Sequence, residues 1–124
     1  MKWLTGEEVR AAAKKSKRAA IACAKKHWWQ NHTATEKEMR VFAKTHRPAG
    51  YRLCALCWRY NQNNVHKLGR YWCPLKKAKD KTYCCNQYTK ALRAFTNWKA
   101  KVGNGRYSTF TKKAKAMYDR ICEL

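Results

Sequence analysis

A chain of 124 residues with 29 Lys plus Arg against 7 Asp plus Glu carries a formal net charge of +22, and its length suits one compact domain with at most an attached arm. The sign excludes an acidic nucleic-acid mimic, the lack of a run of about 18 apolar residues excludes a transmembrane helix, and the seven scattered acids form no paired-carboxylate centre. Hydrophobic residues make up 45% of the chain, but 17 of them are Ala and Leu, Ile, Val and Phe number only 16, so the core must come from 6 Trp, 7 Tyr and 7 Cys.

Thr5-Gly6-Glu7-Glu8 reads as a capping box, with Thr5 accepting from the third helical amide and Glu8 reaching back. The Ala-rich stretch from Glu7 to about Lys26 lacks Pro and Gly and predicts one basic helix. Its inner face holds Val9, Ala12, Ala13, Ala19, Ala20 and Cys23. Because alanine buries little area, this helix reads as an arm that orders fully on a partner. His27-Trp28-Trp29-Gln30-Asn31-His32 breaks the pattern and reads as a linker or corner. Thr33-Ala34-Thr35-Glu36 is a second capping-box candidate for a short helix through about Lys44, with Met39 and Phe42 inward, ended by Pro48-Ala49-Gly50. Residues 51–85 are loop-rich. From Asn86, the positions Tyr88, Ala91, Leu92, Phe95, Trp98 and Val102 follow a 3.6 period. Gly103-Asn104-Gly105 breaks the chain, and Ser108 or Thr109 opens a last helix with Phe110, Ala114, Met117, Tyr118 and Ile121 on one side.

Five of the seven cysteines fall in residues 51–85, as Cys54-Ala55-Leu56-Cys57, Cys73 and Cys84-Cys85. The spacing C-x2-C-x15-C-x10-C suits one tetrahedral metal held by Cys54, Cys57, Cys73 and Cys84 or Cys85, with His66 as another possible fourth ligand. Zinc is the default ion for such a sulfur-rich site, and as a structural ion it offsets the poor aliphatic core. Cys23 and Cys122 read as small buried core residues. The N-terminal stretch has no apolar run of signal-peptide length, which predicts a cytoplasmic protein in a reducing compartment, where clustered cysteines bind metal more often than they form disulfides.

Cys54-Ala55-Leu56-Cys57, then Cys73-Pro74-Leu75, a later cysteine at Cys84 or Cys85 and Tyr88 in a closing helix resemble small cysteine-rich proteins encoded by bacteriophages. The resemblance covers about residues 51–100. Arg70 stands where the first cysteine of that family's fuller CxxCPL would be. What the resemblance implies is a phage accessory protein in the bacterial host cytoplasm, with no assigned activity.

The charge is not a detachable tail. Residues 1–50 carry 12 basic and 4 acidic side chains (+8), residues 51–85 carry 8 and 1 (+7), and residues 86–124 carry 9 and 2 (+7). A body this basic is eased by a polyanion. The candidate nucleic-acid contacts are Lys14, Lys15, Lys17, Arg18, Lys25 and Lys26 on the first helix and Arg52, Arg59 and Arg70 around the cysteines, with Arg106 further on. Trp28-Trp29, Trp58-Arg59-Tyr60 and Arg70-Tyr71-Trp72 interleave rings with cations as base-stacking surfaces do, although a chain short of Leu and Ile needs its rings inside.

The expected fold is therefore mainly α: a basic helical N-terminal segment (1–50) and a zinc-type cysteine-cluster domain (51–124) with two C-terminal helices. The expected function is a non-enzymatic, zinc-containing accessory protein that binds RNA or DNA backbone. Two alternatives stand beside it. One is an anti-defence inhibitor of a host nuclease or CRISPR ribonucleoprotein. The other is a minimal or degenerate His-metal nuclease using His66, for which Asp80 is the only acid within residues 51–85.

Overall fold

A computed structural model describes residues 1–46, 54–62, 86–101 and 105–124, and among them all regular structure is helical. In chain order these are α1 (Gly6–Lys15), α2 (Lys17–Thr33), α3 (Glu36–Ala43), the single turn α4 (Ala55–Cys57) running into a π-helical turn (Trp58–Gln62), α5 (Asn86–Ala100) and α6 (Tyr107–Cys122). No described helix is long and apolar enough to cross a membrane.

The N-terminal helix expected to run unbroken to Lys26 is in fact two helices. Ser16 has an extended backbone and its hydroxyl accepts from the Ala19 amide at 3.0 Å, so it ends α1 and caps α2. At Thr5 only half of the expected box is made: its hydroxyl accepts from the Glu8 amide at 3.2 Å. The expected corner at 27–32 is likewise corrected. It is the last part of α2, because Ala20, Ala24 and Trp28 follow one another at four-residue spacing on one fully buried stripe. Gln30 and Asn31 are buried there as well. Gln30 accepts from the Leu4 amide at 3.2 Å and donates to the Lys2 carbonyl at 2.7 Å, which straps the N-terminal residues onto α2.

The second capping box sits two residues later than Thr33. Thr35 accepts from the Glu38 amide at 3.1 Å and the Glu38 carboxylate returns to the Thr35 amide at 3.0 Å, while Thr33 ends α2. The Thr35 amide, then the Met1 amino group at 2.9 Å, pull the Glu38 carboxyl down to about 2.

The core is one cluster fed by every described helix. The helix α2 packs on α1, α4 and α6, and α6 packs on α5. Phe110, Ala114, Met117 and Ile121 form the buried face of α6, and Tyr88, Ala91, Phe95 and Trp98 that of α5, in the phase the period predicts. Aromatic edges fill the α5–α6 seam. Phe95 meets Phe110 at 5.4 Å and Trp98 meets Tyr107 at 5.1 Å, contacts worth roughly 0.5–1.5 kcal/mol each beyond area burial. At the other end Trp3 stacks on Phe42 at 4.1 Å, and Phe42 on His46 at 4.4 Å. Expectations fail at the margins of the core: Cys122 is exposed at the end of α6, and Ala12, Ala19, Cys23, Leu92 and Tyr118 are only partly buried. Val102 lies outside the described residues.

Candidate functional site

The cysteine pair belongs to the buried core. Cys54 is extended and immediately precedes α4, and Cys57 ends that turn, so one turn of chain carries both sulfurs inward. Both are buried. The Cys54 sulfur does not make the short bond of an oxygen cap. It nevertheless lies within reach of the Cys57 side chain and of the Cys57 and Leu56 amides, which hold its thiol below the usual range against the opposing effect of burial. The indole of Trp28 acts in the same direction. Amides that favour the thiolate are what a metal-ligating cysteine requires.

The half-buried Cys23 on α2 faces the same region, and burial, followed by the proximity of Cys54, pushes its thiol up to about 11. It is a neutral neighbour rather than a thiolate. Among the described residues no group of three or more His, Cys, Asp or Glu is placed to hold a metal. Of the expected metal ligands, Cys54 and Cys57 are the two that lie among the described residues. Cys73, Cys84, Cys85 and His66 lie outside the described residues.

The basic candidates gather at the α1–α2 corner. Lys14 and Lys15 are in the last turn of α1, Lys17 and Arg18 in the first turn of α2, and all four are exposed, as is Lys26; Lys25 is half-buried. None of the six has a carboxylate within ion-pair distance among the described residues, whose ion pairs are Met1–Glu38, Arg40–Glu36, Lys115–Asp119 and Arg120–Glu123. The first turn of α2 contains no acid. Two cations therefore stand where the helix dipole favours negative charge, and an external anion would relieve both. Arg59 takes a different role: it donates to the Ala13 carbonyl at 2.8 Å and tethers the π turn to α1. Arg52 and Arg70 lie outside the described residues.

The Trp28-Trp29 pair divides its labour. Trp28 is wholly buried, with its ring edge-on to His27 at 5.0 Å and to Tyr88 at 6.3 Å. His27 is buried beside it, and because Asn31 Nδ2 can only donate, the His27 Nε2 3.2 Å away accepts. Trp29 is 50% exposed and meets His32 at 4.9 Å and Tyr118 at 5.5 Å. Burial, then the charge of Lys115, lowers the His32 pKa and so favours its neutral ring.

Sequence reasoning passed over two cations, Arg40 and Lys101, which share a cleft of about 640 Å3 with Arg106. Their only signal is spatial, since they come from α3, the end of α5 and the start of α6. No protein-family model, curated protein or solved structure matches the chain.

Proposed function

We propose that this protein is a non-enzymatic, zinc-stabilised binder of nucleic-acid backbone. The observation that carries the reading is the α1–α2 corner, where Lys14, Lys15, Lys17 and Arg18 stand exposed around Ser16 without a carboxylate partner among the described residues. A folded surface that keeps so many unpaired cations close together pays for it in self-repulsion, and a phosphate backbone removes that cost. Lys25 and Lys26 continue the positive surface along α2. Zinc has a structural role in this reading. Cys54 and Cys57 supply two thiolates, Cys73 a third, and Cys84, Cys85 or His66 completes a tetrahedral shell.

The test is binding of labelled single- and double-stranded oligonucleotides across a salt series, on protein whose zinc content is measured at about one per chain. Affinity should fall steeply with salt. Replacing Lys14, Lys15, Lys17 and Arg18 together by Gln should flatten the slope of log K against log salt by roughly two to four units, at about 0.7 per phosphate on single strands and 0.9 on duplex. Absence of binding even at low salt would sink the reading. A protein partner that survives nuclease treatment of a pull-down would replace it with the inhibitor alternative.

A further inference from the structure

The cleft at the α3–α5–α6 corner is predominantly cationic. Arg40, Lys101 and Arg106 line it together with one carboxylate, Glu36. That carboxylate is already engaged: it accepts from Arg40 at 2.7 Å and from the Trp98 indole at 3.1 Å. These two bonds, the indole first, lower its pKa, so it stays ionised and committed to the protein. Its charge offsets one of the three cations. Lys101 and Arg106 have no carboxylate partner among the described residues, whose groups leave the cleft a net charge of about +2.

Three features hold these groups in place. The Arg40 guanidinium lies over the Trp98 ring at 5.0 Å and pairs with Glu36, so its plane is fixed while it still has further N–H donors. Lys101 follows α5 in the left-handed region at φ 55°, a conformation that favours Gly or Asn after a helix, yet here a long cation occupies it. Gly105 completes the arrangement. A Cβ there would lie 2.3 Å from the Asn97 carbonyl oxygen, so only glycine lets the chain press onto the end of α5. That contact brings Arg106, which precedes α6, to the same cleft as Lys101. Ser108 adds a hydroxyl to the lining.

We infer that this cleft binds a phosphate group, held between Arg40, Lys101 and Arg106, and that it provides a phosphodiester contact separate from the α1–α2 corner. A guanidinium with a fixed plane presents parallel donors to phosphate oxygens, and Lys101 contributes a point charge. The second half of the inference rests on the nucleic-acid reading; the first half does not.

The experiment is a heteronuclear NMR titration of the full chain with inorganic phosphate, with chloride at matched ionic strength, and with a single-stranded oligonucleotide. Phosphate should shift the Trp98 indole N–H and the Tyr107 and Ser108 amides, chloride should not, and Lys101→Gln/Arg106→Gln should abolish the response. The oligonucleotide should shift the same signals at lower concentration, and the double variant should flatten its salt slope by about 1.4 units, two phosphate equivalents on a single strand. If the double variant loses its dispersed spectrum, Arg106→Gln alone should flatten the slope by about 0.7. Equal shifts with chloride and phosphate overturn the site. Oligonucleotide binding that leaves these signals and the slope unchanged overturns the site and spares the nucleic-acid reading. A phosphate response without oligonucleotide binding keeps the site for free phosphate esters and removes that reading. Silence with every probe removes both.

Discussion

The α5–α6 seam and the α1–α2 corner are built from opposite materials. The seam is aromatic, with Phe95, Trp98, Tyr107 and Phe110 in tilted and edge-to-face contact, and three cations on the helices around it are paired: Arg40 with Glu36, Lys115 with Asp119, Arg120 with Glu123. The corner is built on alanine, and its cations have no such partners among the described residues. Glu7 and Glu8 sit in the first turn of α1, where the dipole favours them, two turns away from Lys14 and Lys15. The helices of the seam therefore pair some of their cations internally, whereas the corner pairs none of its own among the described residues. Three measurements test that division.

The largest effect belongs to the seam. Trp98→Ala removes a buried ring together with its bond to Glu36 and should cost roughly 3–5 kcal/mol by chemical denaturation. A loss under about 1 kcal/mol would mean that the seam is not where stability resides.

Tyr107 is the next test. Its hydroxyl donates to the Ala34 carbonyl at 2.6 Å, and burial, followed by the charges of Glu36 and Glu38, pushes its pKa up to about 12. The folded state thus binds the phenolic proton more tightly than the unfolded chain, whose tyrosine titrates near 10. The resulting stability is fully present below about pH 10 and is lost as pH rises through the folded value. Tyr107→Phe should cost about 1–3 kcal/mol near neutrality, because it leaves a buried carbonyl without its donor, and it should flatten the alkaline fall in melting temperature. An unchanged alkaline profile would place the sensitive group elsewhere.

The smallest effect has the opposite sign. Lys17→Gln with Arg18→Gln removes two cations from the positive end of α2 and should raise stability by about 0.3–1 kcal/mol at low salt, with the gain fading at high salt. A loss of stability would show that these cations serve the fold.

The C-terminal helices were legible because their apolar residues are large and keep the 3.6 period: Phe110, Ala114, Met117 and Ile121 are all buried. In α2 the same logic runs through Ala20 and Ala24, whose methyls are too small to announce a stripe, so Trp28 looked like an interruption rather than its continuation. Ser16 carried a weak capping signal, with no Glu three residues on and no Gly or Pro beside it. Long-range polar bonds left no trace in sequence spacing. Lys99 occupies an exposed position, yet its ammonium donates to the Ala43 carbonyl at 2.9 Å and joins α5 to the end of α3. At the candidate metal site the CxxC spacing pointed to two inward sulfurs in one turn, and Cys54 and Cys57 are so placed. The proximity of Cys23 could not be read, because it depends on how α2 crosses α4.

The Ser16 break also sets how the molecule opens. Only Val9 and Ala13 of α1 are buried, whereas α2 buries six residues beyond the break. Subglobal opening follows the least buried cooperative unit, which by burial alone is α1, held at its two ends by the Gln30 strap and by the Arg59 bond to Ala13. Lys14 and Lys15 travel with α1, and Lys17 and Arg18 stay with α2. The angle between the two pairs of cations is therefore set by the tethers on α1 and not by one continuous helix. Under the proposed function, release of those tethers would let one short helix re-aim its lysines at a polyanion without repacking the aromatic seam.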